Sequence, residues 1–211
     1  MIYAIGDIHG CIKTLKALMA KLPYTPDDLL VFMGDYIDRG PDSKAVVDYL
    51  LDLSQHHDKL VLLRGNHEQM ALDAMRAAEG RTDLDWYLAP NGAKATLKSY
   101  GGALHPAHAF MFQSLLLCYE TDDYFFCHAG VDANFPLHKQ PKETLLWMRE
   151  PFIHSTLDYG KKIVFGHTQL EEVLITPNKI GIDTGCVKGR KLSAIQLPTE
   201  QVFSVDCLDL G

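Results

Sequence analysis

The sequence predicts an α/β fold: a two-sheet β-sandwich flanked by helices. Three observations lead there. Short apolar segments of strand length alternate with amphipathic helical segments through the first third of the chain, strand-like segments dominate from residue 115 onward, and polar residues gather just after the apolar segments. Ligands of α/β proteins collect outside the carboxyl ends of strands, so the third observation also marks a site. With 211 residues, 47% hydrophobic and 22% charged, the chain suits one domain spanning 1–211 with ample material for a core.

Taken in order, Ile2 to Ile5 reads as a buried strand, and Ile12, Leu15, Leu18, Met19 and Leu22 recur at helical spacing. Leu29 to Met33 is the second strand. Val46, Val47, Leu50, Leu51 and Leu53 mark a second helix, with Pro41-Asp42-Ser43 as its start signal. Leu60 to Leu63 is the third strand, and a helix follows from about His67. From about residue 80 to 113 the pattern is helical without a strand, which reads as an insertion covering one sheet edge. Beyond it, strands are expected at Leu115 to Tyr119, Tyr124 to Cys127, Ile163 to Phe165, Val173 to Ile175, Ile180 to Ile182, Leu192 to Leu197 and Val202 to Val205, mostly antiparallel. One helix is expected from Lys142 to Arg149.

Charge and composition exclude several classes. Twenty Lys and Arg against 27 Asp and Glu give a net charge of −7, which disfavours a broad nucleic-acid-binding face. No apolar run approaches the roughly 18 residues of a membrane span, and no secretory signal precedes the first strand, so a cytoplasmic protein is expected. The five cysteines include no C-x-x-C pair, which argues against a zinc knuckle and for reduced thiols used in packing.

The informative residues follow the strands. Gly6-Asp7-Ile8-His9-Gly10 follows the first, Gly34-Asp35 to Gly40 the second, and Arg64-Gly65-Asn66-His67-Glu68 the third, while His128 and His167 end later ones. Asp7, His9, Asp35, Asn66, His128 and His167 together form a mixed oxygen and nitrogen donor set. Without thiolates it suits manganese first, with iron or zinc also compatible. Six donors exceed the need of one catalytic ion, which keeps a position open, so two divalent ions sharing a carboxylate are expected. Singly, each residue has a plainer reading: Asp7, Asp35 and Asn66 as helix caps, the histidines as packed side chains. It is the set that argues for a site.

The motifs GDIHG at 6–10, GDYIDRG at 34–40 and GNHE at 65–68, with RGNHEQM at 64–70, LLWMRE at 145–150 and GIDTG at 181–185, resemble the phosphoprotein phosphatase branch of the calcineurin-like metallophosphoesterases, in its compact lambda-phosphatase form. The resemblance covers nearly the whole chain. It implies the metallophosphoesterase fold and two divalent ions. Asp7, His9 and Asp35 would hold the first, and Asp35, Asn66, His128 and His167 the second. It implies His67 as general acid, Asp38 as its orienting partner, and Arg39 and Arg149 as phosphate grips, with Arg64 assisting. The expected reaction is hydrolysis of phosphoserine or phosphothreonine in a phosphoprotein or phosphopeptide by hydroxide that the metals supply.

The first rival is a symmetrical diadenosine tetraphosphatase, against which Asp38 and Glu68 are counted. The second is a non-catalytic phosphate-binding scaffold, against which the complete donor set is counted. His56, His57, His105, His108, His138 and His154 read as solvated. Trp86, Tyr87, Asn91 and Tyr100 read as packing of the insertion, with a substrate wall as the sharper possibility. Cys11 and Cys186, each next to a motif, read as packing.

Overall fold

A computed structural model describes residues 1–78 and 91–210. Trp86, Tyr87 and part of the expected insertion lie outside the described residues. The elements run β1 (Ile2–Ile5), α1 (Ile12–Lys21), β2 (Leu29–Phe32), α2 (Ser43–His56), β3 (Leu60–Leu62), α3 (Asn66–Ala78), α4 (Ala93–Ser99) and α5 (Pro106–Ser114). Then come β4 (Cys118–Glu120), β5 (Tyr124–Cys127), α6 (Lys142–Trp147), β6 (Lys162–Phe165), β7 (Leu174–Ile175), β8 (Lys179–Gly181), β9 (Lys191–Leu197) and β10 (Gln201–Asp206).

Among the described residues the strands form two mixed five-stranded sheets, ordered β10-β9-β1-β2-β3 and β4-β5-β6-β8-β7. Strand alternation explains how they pack. Ala4, Val31, Met33, Val61, Ile195 and Leu197 of the first sheet meet Tyr124, Phe126, Val164 and Ile180 of the second in one buried cluster. The opposite faces carry Tyr3, Ile5, Leu30 and Phe32 against α1 and α2, and Phe125, Cys127, Ile163 and Phe165 against Leu145 and Phe152. This is the expected sandwich.

Several local expectations are corrected. Most pairings of the second-half strands are antiparallel as expected (β4–β5, β7–β8, β9–β1 and β9–β10), but within the second sheet β5 pairs β6, and β6 pairs β8, in parallel. Parallel strands send His128 and His167 out at the same end. The segment expected as a strand from Leu115 first runs beside β3, where Leu116 N–H donates to Leu62 O at 3.1 Å, and enters the second sheet only at Cys118. Helix α6 stops at Trp147, where Met148 (φ −57°, ψ 135°) leaves helical geometry. The insertion does more than cover an edge. Its α4 packs on α2, its α5 packs on α3, and Gly92 O accepts from the Arg39 N–H at 3.2 Å. His57 and His108 are buried, not solvated: His57 bonds Asp28 O at 2.9 Å and His108 bonds the Tyr100 hydroxyl at 2.8 Å. Tyr100 is thereby a packing residue, as is Asn91, whose amide meets the Met70 sulfur at 3.1 Å.

Candidate active site

The carboxyl ends of β1, β2, β3, β5 and β6 converge at one edge of the sandwich and deliver Asp7, Asp35, Asn66, His128 and His167, all buried. The turns that aim them are strained. His9 (φ 47°), Asp35 (52°), Asp38 (72°), Arg39 (68°) and His167 (58°) lie in the left-handed region that side-chain-bearing residues rarely adopt. Such strain persists only where surroundings over-determine it, and it concentrates at functional sites. Two glycines set how close the strands come. A Cβ on Gly65 would sit 2.1 Å from Asp35 Oδ1, and one on Gly166 would sit 2.1 Å from Asp7 Oδ1. Only glycine leaves those carboxylates their places.

Asp35 is the hub. His9 Nε2 lies 3.4 Å from its Oδ2, His128 Nε2 3.4 Å from its Oδ1, and His67 Nε2 3.9 Å from its Oδ2. Two groups of potential ligand atoms, each within 4.8 Å, share it: His9, Asp35 and His67, and Asp35, His128 and His167. Backbone carbonyls set the rings, with Ile37 O 2.8 Å from His9 Nδ1 and Met33 O 2.8 Å from His128 Nδ1. Each ring therefore turns Nε2 inward. Asn66 Oδ1 approaches His128 Nε2 at 3.0 Å, and Asp7 Oδ2 accepts the His167 backbone N–H at 3.0 Å.

His67 and Asp38 form a separate, buried pair. Nδ1 of His67 donates to Asp38 Oδ2 at 2.7 Å. The other oxygen of Asp38 accepts the Thr96 hydroxyl at 2.6 Å. Thr96 comes from α4, so the insertion reaches into the site. Behind Asp35 lies Glu68, fully buried, whose carboxylate accepts four backbone N–H groups: Asp35 (3.0 Å), Tyr36 (2.8 Å), Ile37 (3.3 Å) and Gly65 (2.9 Å). It clamps the β2 turn to the β3 turn.

A cleft of about 360 Å³ opens over this cluster, lined by Asp35, Arg39, Arg149, His167, Thr168, Gln169 and Lys188. Arg39, Arg149 and Lys188 are exposed. The half-exposed ring of Trp147 stands 6.0 Å from that of His167, nearly perpendicular at 87°. Arg64 is not brought into the cleft. Its guanidinium is spent on Gln69 Oε1 (3.0 Å) and on the carbonyls of Gln113 (2.8 Å) and Leu115 (3.2 Å), where it ties β3 to the end of α5.

A model of the calcineurin-like phosphoesterase family matches residues 1–190. The chain belongs to the calcineurin-like phosphoesterase family. It is 31% identical to serine/threonine-protein phosphatase 1 of Salmonella typhimurium over 209 residues, 93% of this chain and 91% of the relative. It is 27% identical to the asymmetrical bis(5'-nucleosyl)-tetraphosphatase PrpE of Oceanobacillus iheyensis over 235 residues, 95% of this chain and 90% of the relative. A crystal structure provisionally named a diadenosine tetraphosphatase superposes with a TM-score of 0.79 at 23% identity, covering 97% of this chain and 92% of the other. This phosphoesterase is therefore a hydrolase of phosphoesters, in a family that uses divalent metals. No described helix is long and apolar enough to cross a membrane.

The donor set of this phosphoesterase fits such ions. Burial and the neighbouring Asp183 push the Asp7 carboxyl well above the ordinary range. Burial lowers His9 to about 3 and His167 to about 2, so both rings are neutral and offer lone pairs. Burial disfavours charge on His128, but the Asp35 carboxylate outweighs it and lifts the ring to about 10. Against burial, the same pairing holds Asp35 well below the ordinary range. Crowded buried carboxylates beside neutral imidazoles call for positive charge, here met by a proton on His128. Among the described residues, Asp7 Oδ1 and His167 Nε2 are buried without a hydrogen-bond partner. Buried polar atoms of this kind are rare unless a ligand serves them.

Sequence reasoning missed Thr96, Lys188, Trp147 and Asp183 of this phosphoesterase. Trp147 and Asp183 lie inside motifs quoted for other reasons, and Lys188 lies just past GIDTG. Thr96 carries no local signal.

Proposed function

We propose that this phosphoesterase is a phosphomonoesterase acting on phosphoserine and phosphothreonine of proteins or peptides, with phosphotyrosine and aryl phosphates as secondary substrates. One observation carries the reading: the buried His67–Asp38 pair, with Nε2 of His67 turned toward Asp35. A seryl or threonyl alkoxide is a poor leaving group and needs a proton as its P–O bond breaks, whereas the phosphate leaving group of an anhydride needs far less help. A positioned imidazole acid is thus of most use on alkyl monoesters.

In this reading Asp7, His9 and Asp35 hold one divalent ion, and Asp35, Asn66, His128 and His167 a second. Manganese suits the donors best, with iron or zinc compatible. Bound there, the ions supply an acidified water and neutralise phosphate charge. The chain's own residues do the rest. Arg39 and Arg149 take phosphate oxygens in their planar forks. Arg39 Nη1 sits 2.7 Å from His9 Nε2, and since that lone pair serves one partner at a time, a cation on His9 frees the guanidinium for the cleft. As an imidazolium with a proton on each nitrogen, His67 gives its Nε2 proton to the leaving oxygen, while Asp38 holds the Nδ1–H and steadies the ring. An open, polar cleft suits a phosphorylated side chain on a surface segment. The donor set and the acid argue against a non-catalytic scaffold. All five cysteines are free thiols, which accords with a cytoplasmic location.

A second reading, hydrolysis of dinucleoside polyphosphates, is favoured by Trp147 beside a cationic line of Arg39, Arg149 and Lys188. The exposed ring can stack a base while the line follows a polyphosphate. Phosphate release from a phosphoserine peptide and from diadenosine tetraphosphate, each with manganese, separates the two. The peptide is expected to turn over with the higher kcat/KM. Faster turnover of the dinucleotide, lost in Trp147→Ala, sinks the monoesterase reading.

A further inference from the structure

Cys11, Cys186 and Cys207 come from three distant stretches, yet their sulfur atoms all lie within 4.8 Å of one another. Cys11 is the residue at the N-terminus of α1, Cys186 opens the turn Cys186–Lys188, and Cys207 follows β10. Cys11 and Cys186 are buried and Cys207 is half-buried, so the cluster touches solvent on one side. The absence of a C-x-x-C pair gave no hint of it, because the fold assembles the group.

We propose that these three thiols form a second metal site, distinct from the cleft, that takes zinc. Zinc bonds thiolates at about 2.3 Å, which puts tetrahedrally placed sulfurs roughly 3.8 Å apart, within the span seen here. A disulfide would use two of the three sulfurs, whereas one soft or borderline cation uses all of them. Each coordinating thiol yields its proton to solvent on binding, and water supplies the remaining position.

The surroundings hold the set in place. The Asp209 carboxylate accepts the backbone N–H groups of Lys13 (3.0 Å) and Thr14 (2.9 Å) and the Thr14 hydroxyl (2.6 Å). Leu208 N–H donates to that hydroxyl at 2.8 Å, and Cys207 N–H donates to Arg190 O at 2.7 Å. The tail is thus clamped onto the first turn of α1, with Thr14 Oγ1 3.9 Å from Cys207 Sγ. A bound ion would also join two parts of the catalytic edge, since His9 is two residues before Cys11 and Lys188 two after Cys186.

Cobalt is the probe, because sulfur ligands give a near-ultraviolet charge-transfer band that His and Asp ligands do not. The full chain, reduced and stripped of metal, is expected to develop this band with cobalt and lose it when zinc is added. Asp35→Asn should keep the band, and Cys207→Ser should lose it together with one equivalent of bound zinc. No band in the reduced wild-type chain overturns the proposal, as does an undiminished band in folded Cys207→Ser. Should that variant not fold, alkylation of the wild-type chain decides. Zinc should slow iodoacetamide at Cys207 several-fold while leaving Cys118 unchanged, and equal rates at Cys207 with and without zinc overturn the proposal.

Discussion

The imidazole of His67 donates through Nδ1 to Asp38 at 2.7 Å, with both side chains buried. This bond fixes which nitrogen can serve a substrate. A general acid contributes about 10²–10⁴-fold to rate when the leaving group needs a proton. His67→Asn is therefore expected to cost about that much on an alkyl phosphate, and far less on nitrophenyl phosphate. Steady-state kinetics on the two substrates measure the ratio. Equal losses count against the assigned role.

Thr96 acts on the same pair from α4. Its hydroxyl donates to Asp38 Oδ1 at 2.6 Å, while the Asp38 N–H keeps a second acceptor in Ser43 Oγ at 3.0 Å. Removing the hydroxyl thus unsettles the carboxylate more than the backbone. Hydrogen bonds to charged groups are worth about 1.5–3 kcal/mol, so Thr96→Val should lower kcat on alkyl phosphates by about 10- to 100-fold. KM should change little, and Thr96→Ser should restore the rate. A fall in KM-limited binding with kcat intact would leave Thr96 only a packing residue.

Glu68 makes a stability prediction. Its two oxygens accept four backbone N–H groups, which uses a carboxylate's whole acceptor capacity. Glu68→Gln turns one oxygen into a donor facing donors. Leaving buried N–H groups unmet costs about 1–3 kcal/mol each, so a loss of several kcal/mol is expected in urea unfolding. An unfolding midpoint within error of wild type would refute this clamp.

Glu68 also shows where sequence reading overreaches. Its presence in the sequence argues for phosphoprotein substrates, but its hydrogen bonds are all to backbone N–H groups, so joining two turns is enough to explain its identity. The strands and their exits were legible because apolar runs ending in Gly-Asp or His carry both a period and a chemistry. Ile2–Ile5 and Tyr124–Cys127 are found as expected. What stayed hidden is what distance in sequence conceals. Thr96 reaches Asp38 across 58 positions, Leu116 pairs with β3 before its segment changes sheet, and Arg64 turns to carbonyls at the end of α5 although its motif borders the site. Pairing direction in the second sheet was likewise invisible to local pattern.

The arginines divide cleanly. Arg149 lines the cleft and Arg64 does not. Arg149→Ala should weaken competitive inhibition by inorganic phosphate and raise KM by about 10-fold or more, the scale of a lost charge-assisted contact. Arg64→Ala should leave both constants near wild type and lower stability instead, since two bonds to carbonyls at the end of α5 and one to Gln69 of α3 disappear. Inhibition constants and melting curves for the two variants test the split. An Arg64→Ala protein with normal stability and poor phosphate binding would reverse it.

Asp183 contributes one readable component to the pH response of the metal-free chain. Burial, reinforced by the Asp35 charge, lifts its carboxyl from 3.8 to about 6. Below about pH 4 the folded and unfolded chains are both protonated there. Between about 4 and 6 the unfolded chain releases the proton first, so stability contributed by this group falls as pH rises and stays low above that window. The penalty is on the order of 2 to 3 kcal/mol. Asp183→Asn keeps an acceptor for the Gly185 N–H, which bonds Oδ1 at 3.0 Å, and removes the titration. After chelation, the variant should unfold at higher urea than wild type near pH 7 and at about the same urea near pH 4. Divalent ions should shrink the difference near neutrality, because cations near Asp7 favour the charged carboxylate. A gap between variant and wild type that is constant across this range would mean that Asp183 does not titrate with folding.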